Sequence, residues 1–205
     1  MTDRVLKAND EIEREGDQIY SREQIAEFYR KFAGCKRTFI FDSMPYEGTK
    51  HIDLWAKFLN DETVIVNEIR DELLPLTNYQ PEALEKTKKV KEYLDARAQE
   101  IEKLGFKVVR VPMPLPWFGP DFNLFRSYTN SLILNGTVAI PQYKKPVMAE
   151  DGINGQYVDQ GFLESYDNEI IKTHQAFNLK VKMIPSDQLI AKGGAIHCTT
   201  MQVAR

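Results

Sequence analysis

Ser127-Tyr128-Thr129-Asn130-Ser131-Leu132-Ile133-Leu134-Asn135-Gly136-Thr137-Val138-Ala139-Ile140 reads as two strands joined by a tight turn. Ser127–Leu134 and Thr137–Ile140 are the two strands, and their aromatic, apolar and β-branched side chains suit a sheet. Asn-Gly between them supplies the two positive-φ positions that a type I′ hairpin turn requires. The rest of the fold follows outward from this hairpin. On its C-terminal side come a loop rich in Gly, Asp and Asn over about 144–159, a helix over about 161–177 and a strand over about 180–184. A short turn at 186–189 and a last strand at 195–200 complete that side. On its N-terminal side the same order occurs once before. Strands at about 51–58 and 63–67 flank the turn residues Asn60-Asp61. A helix over about 82–104 begins after Pro81 and stops at Gly105, and a β-branched strand follows at 107–111. The pattern predicts a mixed α/β protein built from hairpin–helix–strand units, not a regular βαβ winding.

Between the two units, residues 112–120 hold four prolines, Gly119 and Trp117-Phe118, and read as a rigid loop without strand. At the other end, Ser21-Arg22-Glu23-Gln24 is a capping box that opens a helix over about 22–33. Ile25, Phe28, Tyr29 and Phe32 form its apolar stripe, and Gly34 ends it. The first 20 residues are acidic and read as irregular; a strand is expected at 38–41.

The 205 residues suffice for a good core, and one domain spanning 1–205 is the simplest organisation. Hydrophobic residues make up 42% and charged residues 28%, as in soluble globular proteins. A net charge of −3 argues against a nucleic-acid-binding domain, where a basic surface is expected. Lys86, Lys88, Lys89 and Lys91 do cluster, but Glu82, Glu85, Glu92 and Asp95 surround them, which describes a solvated helix face. Two cysteines, Cys35 and Cys198, form no disulfide framework. No apolar run is long enough to span a membrane, and Met1-Thr2-Asp3-Arg4 lacks a signal-peptide pattern. The chain thus reads as cytoplasmic, with neither membrane nor nucleic acid among its partners.

Two segments could carry chemistry. In His51-Ile52-Asp53-Leu54-Trp55-Ala56-Lys57-Phe58, strand alternation puts Ile52, Leu54, Ala56 and Phe58 on one face. His51, Asp53, Trp55 and Lys57 then share the other, with imidazole and carboxylate roughly 6–7 Å apart along the strand. The ordinary alternative is a solvent-facing strand surface. In Gly193-Gly194-Ala195-Ile196-His197-Cys198-Thr199-Thr200, two glycines lead into a cysteine followed by hydroxyl residues. A thiol, an imidazole and a carboxylate are the parts of cysteine nucleophilic catalysis. The alternative for Cys198 is an inert core thiol. Cys35, behind a helix-ending glycine, reads as structural. His197 is expected to point to the strand face opposite Cys198, and His174 to lie on a helix surface. No C-x-x-C or H-x-x-x-H pair is present, so no metal site is expected. Phosphate-loop and dinucleotide fingerprints are absent.

Four motifs in order carry a family resemblance: Gly48-Thr-Lys-His51-Ile-Asp53-Leu-Trp-Ala-Lys-Phe58, Phe125-Arg126-Ser-Tyr-Thr-Asn130-Ser-Leu-Ile-Leu-Asn135, Val138-Ala-Ile-Pro-Gln-Tyr143 and Gly193-Gly-Ala-Ile-His-Cys198. Together they resemble the agmatine deiminase and bacterial-type peptidylarginine deiminase family of the guanidino-group-modifying superfamily. The resemblance implies a pentein-type α/β propeller. It implies Cys198 as nucleophile, His51 as general acid/base, Asp53 as one of two carboxylates gripping a substrate guanidinium, and Asn130 as a pocket-lining residue. The implied reaction is hydrolysis of a guanidinium to a ureido product and ammonia through a cysteine thiouronium. It needs no metal or organic cofactor, because the guanidinium, once held, is already an electrophile.

Family members usually extend further at the N-terminus, with an Arg-Asp-x-Gly-Pro segment that supplies the second carboxylate. That segment is absent from these residues. The resemblance therefore implies an incomplete propeller, about three of five blades, with exposed strand edges. The expected partner is a small-molecule or peptide guanidino substrate, together with a missing N-terminal segment or a homo-oligomer. Two further readings stand beside the deiminase: an inactive remnant of the fold serving as a binding or assembly module, and an amidinotransferase using the same thiol.

Overall fold

Asn135 and Gly136 both take positive φ, 50° and 70°, and close the expected two-residue hairpin. The computed structural model describes residues 1–10, 20–79, 81–119, 121–145 and 157–201, so most of the loop expected over 144–159 lies outside the described residues. The chain divides into two compact units: Met1–Met44 with Lys50–Ile52, and Pro45–Thr49 with Asp53–Arg205.

The second unit contains both hairpin–helix–strand repeats. In the first repeat, β1 (Ala56–Phe58) pairs antiparallel with β2 (Thr63–Glu68). A helical crossover then brings β3 (Lys107–Pro112) in parallel on the other side of β2. A separate two-stranded hairpin, β4 (Trp117–Phe118) with β5 (Asn123–Leu124), follows. In the second repeat, β6 (Leu132–Leu134) pairs antiparallel with β7 (Thr137–Gln142), which pairs in parallel with β8 (Lys180–Pro185). The crossover helices are α3 (Ala83–Lys103) and α4 (Gln160–Gln175). The mixed α/β order read from the sequence is the order found.

The helices explain themselves by spacing. Ala83, Thr87, Val90, Leu94, Ala98 and Ile101 recur at helical period and are the buried face of α3. The opposite face carries the lysines, and Lys86–Glu82 and Lys89–Glu85 pair at 2.9 and 2.8 Å one turn apart. Leu163, Tyr166, Ile170 and His174 are buried along α4. Val64, Ile65 and Val66 of β2 are buried in succession, as a central strand covered on both faces requires. Each such side chain contributes about 1.5–3 kcal/mol of transfer free energy.

One buried ion pair fixes the entry to the second repeat. Arg126 Nη2 donates to Asp159 Oδ1 at 2.7 Å and to the Leu115 carbonyl at 3.0 Å. Its guanidinium stacks on the Tyr157 ring at 3.8 Å. Arg126 and Asp159 are both buried, so removing one partner alone would leave an uncompensated interior charge. The pair anchors the chain immediately before Ser127, where the site begins.

Several expectations are corrected. Residues 51–58 are not one strand: a 3-10 turn over Ile52–Leu54 precedes the short β1. Residues 195–200 likewise form a 3-10 turn, His197–Thr199, and not a strand. In both places the chain turns to place side chains, overriding a local strand preference. Trp55, assigned to an outer face, is fully buried, with its ring edge-on to Tyr93 at 5.6 Å between centroids. His174, expected at the surface, is also fully buried. The proline-rich loop, expected without strand, supplies β4 of the β4–β5 hairpin, closed by the Gly119 N–H donating to the Phe122 carbonyl at 3.0 Å. A 3-10 stretch over Asp71–Tyr79 was not foreseen, and the turn at 186–189 is the one-turn α5 (Asp187–Ile190).

The first unit holds α1 (Arg4–Asp10), where irregular chain was expected, and α2 (Arg22–Phe32). The capping box of α2 forms: the Gln24 N–H donates to Ser21 Oγ at 3.3 Å, and the Ser21 N–H donates to Gln24 Oε1 at 2.7 Å. Of its apolar stripe, Ile25 is buried, whereas Phe28 and Phe32 are 56% and 67% exposed. The strand expected at 38–41 reduces to a parallel bridge between Thr2 and Phe41. Among the described residues, no helix is long and apolar enough to cross a membrane.

Candidate active site

The site is assembled in the second unit from three stretches of chain. Asp53 comes from the 3-10 turn before β1, Asn130 from the loop before β6, and Cys198 from the 3-10 turn after α5. Asn130 is fully buried and joins the other two. Its Nδ2 donates to Asp53 Oδ2 at 2.8 Å and to Cys198 Sγ at 3.0 Å. Its Oδ1 accepts from the Ala195 N–H at 3.0 Å and the Cys198 N–H at 3.4 Å, and its carbonyl accepts from the His197 N–H at 3.1 Å. One amide side chain thus fixes the sulfur, the carboxylate and the backbone that carries the sulfur.

The cysteine turn depends on its glycines. Gly193 takes φ +93°, a conformation side chains rarely adopt. A Cβ at Gly194 would lie 2.5 Å from Cys198 Cβ and 2.9 Å from its Sγ. The glycine pair seen in the sequence is therefore the space in which the thiol sits.

Cys198 is solvent-accessible, while Cys35 is half-buried. Partial burial of the sulfur pushes the Cys198 thiol above its ordinary value. The Asn130 amide pulls it back down, and the Asp53 carboxylate pushes it up. The thiol donates to Asp53 Oδ2 at 3.4 Å. Lys57 adds a cation to this field: burial lowers its pKa, and Asp53 and the Cys198 thiolate raise it.

Asp53 is also held through its backbone. Its carbonyl accepts from Thr129 Oγ1 at 2.9 Å. Thr129 Oγ1 lies 2.7 Å from Ser127 Oγ, which accepts from Asn67 Nδ2 at 2.8 Å. With the Thr129 proton committed to Asp53, the Ser127 hydroxyl must donate to Thr129. This chain of polar groups is buried, so each lost link costs more than it would in water.

Four site residues were expected from the sequence. Cys198, Asp53 and Asn130 come together here. His51 lies in the Lys50–Ile52 segment of the first unit and is exposed. The strand alternation expected over residues 51–58 does not apply, because Ile52–Leu54 is a 3-10 turn. Sequence reasoning missed Asn67, Ser127 and Thr129; the only signal was a polar run, Ser127 to Ser131, in an otherwise apolar segment. It also misplaced His197. On a strand its ring would face away from Cys198, but on the 3-10 turn its Nδ1 lies 2.6 Å from Asp53 Oδ2.

A family model, Porphyromonas-type peptidyl-arginine deiminase, matches residues 8–204. The chain belongs to this family. Among solved structures, a Porphyromonas gingivalis protein provisionally named arginine deiminase is similar at 22% identity and TM-score 0.68, covering 99% of this chain and 52% of that one. The agmatine deiminase of C. jejuni is similar at 18% identity and TM-score 0.65, covering 97% and 49%. The agmatine deiminase of Enterococcus faecalis is similar at 17% identity and TM-score 0.58, covering 87% and 47%. At these identities the likeness shows a shared fold. The chain spans about half the length of these structures. Among curated proteins none matches.

Proposed function

We propose that the protein is a deiminase that hydrolyses the guanidinium of agmatine, arginine or peptidyl-arginine, with Cys198 as nucleophile. The observation that carries this reading is the bonding of Asn130 to both the thiol and Asp53, in a chain of the peptidyl-arginine deiminase family. A carboxylate beside a sulfur suits a planar cationic substrate: the carboxylate accepts from a guanidinium N–H while the sulfur faces the central carbon.

The thiol chemistry agrees. In the free protein, partial burial and Asp53 favour the neutral thiol. A bound guanidinium neutralises Asp53 and adds positive charge beside the sulfur, which favours the thiolate. The thiolate then attacks the guanidinium carbon. We assign His51 the proton that leaves with ammonia as the C–N bond breaks, giving a thiouronium on Cys198. His51 next takes a proton from water, whose oxygen adds to the same carbon. The C–S bond breaks, and the ureido product departs.

We further read the two hairpin–helix–strand repeats as blades of a pentein-type propeller, of which this chain supplies about three of five. Their identical strand order and connection support this reading.

The test is product analysis with the full protein on agmatine, arginine and an arginine peptide. Ureido product and ammonia, unchanged in yield by an added amine acceptor, are expected. Transfer of the amidino group to the acceptor would replace hydrolysis with amidinotransfer. No reaction with any guanidine would overturn the reading.

A further inference from the structure

The proposed reaction assigns no role to His197, yet its ring makes one of the shortest contacts at the site. Nδ1 lies 2.6 Å from Asp53 Oδ2. A carboxylate can only accept, so the contact puts the ring proton on Nδ1. The same oxygen accepts from Asn130 Nδ2 at 2.8 Å and from the Cys198 thiol at 3.4 Å. None of these bonds falls on Oδ1. The Asp53 carbonyl is tied independently by Thr129 Oγ1.

The His197 backbone is fixed too, by its N–H on the Asn130 carbonyl at 3.1 Å. The ring is therefore delivered to Asp53 by the same turn that delivers the thiol. The His197 side chain is 44% exposed and that of Asp53 13%, so the ring packs from the solvent side onto a nearly covered carboxylate.

We propose that His197 is a positioning residue that, with Asn130, clamps Asp53 through Oδ2 and so presents Oδ1 alone to the substrate guanidinium. A free carboxylate rotates about its last bond and offers either oxygen. Two N–H donors on one oxygen remove that freedom and commit the other oxygen to the incoming cation. The clamp orders Asp53 before substrate arrives, so its loss appears mainly in substrate binding. His197 touches no reacting atom in this role. The role rests on the deiminase reading for its substrate, but not for its geometry.

The experiment compares wild type with His197→Ala and His197→Asn in crystal structures and steady-state kinetics. The asparagine Nδ2 occupies nearly the position of the imidazole Nδ1 and keeps the donor. In His197→Ala, the Asp53 carboxylate is expected to rotate or to lose its single orientation, and KM to rise roughly tenfold to a hundredfold with a smaller change in kcat. His197→Asn is expected to restore both the orientation and KM. An Asp53 carboxylate that keeps its place in His197→Ala, or a KM that does not change, overturns the proposal. If wild type acts on no guanidine, the deiminase reading fails, while the Asp53 orientation in the two variant crystals still decides the clamp.

Discussion

Asn130 Nδ2 stands 2.8 Å from the Asp53 carboxylate and 3.0 Å from the Cys198 sulfur, so one buried amide sets the distance between the group that holds and the group that attacks. The amide also lowers the thiol pKa against the burial and carboxylate that raise it. Removing it therefore harms both placement and ionisation.

Asn130→Ala should lower kcat by roughly a hundredfold or more, the usual effect of losing a preorganised donor at a developing charge. It should also move the Cys198 alkylation midpoint to higher pH. Titration with iodoacetamide and peptide mapping measures the shift. A variant with unchanged midpoint and turnover would remove Asn130 from the site.

Gly194→Ala should nearly abolish turnover with little loss of thermal stability. The added methyl would stand 2.5 Å from Cys198 Cβ, inside any tolerable contact, and the accessible turn can shift to relieve it. The thiol then leaves its place between Asn130 and Asp53. Thermal melts beside kinetics make the comparison; full activity would mean that the thiol position is not critical.

The free thiol lies above its ordinary value because burial and Asp53 both disfavour the anion. Alkylation of Cys198 should rise with pH through a midpoint above that of an unperturbed thiol. A saturating guanidinium compound that leaves the sulfur accessible should move the midpoint down, since a cation stabilises the thiolate. Rates at Cys35 should not respond. A midpoint that moves upward on adding the cation would contradict the electrostatic account.

His174 is buried, with Nδ1 2.8 Å from the Ile170 carbonyl, and burial lowers its pKa. Lys57 lowers it further. Unfolding lets this ring take a proton that the folded chain refuses. Its contribution is thus fully present above the unfolded value, about pH 6.5, and is lost as pH falls below it. His174→Gln should reduce the fall in Tm between neutral and mildly acidic pH. A steeper fall in the variant would reverse the sign and contradict the burial argument.

The architecture was legible because its signals are local. Asn135-Gly136 fixes one hairpin, Gly105 stops α3, and helical spacing marks the buried faces of α3 and α4. The thiol was legible because Gly193 and Gly194 are costly unless something needs the space. What the sequence concealed is tertiary. Alternation along residues 51–58 implies a strand, but Asp53 is turned by a 3-10 segment whose partners, Thr129 and Asn130, come from the loop before the β6–β7 hairpin. The same kind of turn at 197–199 brings His197 and Cys198 to one carboxylate, although strand geometry would send them to opposite faces. His174 and Trp55 misled for a common reason: amphipathic rings are assigned to a surface by pattern, and only packing shows them inside.

The most direct test of the account is to find the covalent intermediate. The full protein is mixed with a guanidino substrate, quenched in acid during turnover, digested and mapped by mass spectrometry. The account predicts an amidino adduct on Cys198 and none on Cys35, with adduct and turnover both lost in Cys198→Ala. Sustained ureido product formation by Cys198→Ala, or an adduct confined to another residue, would contradict it.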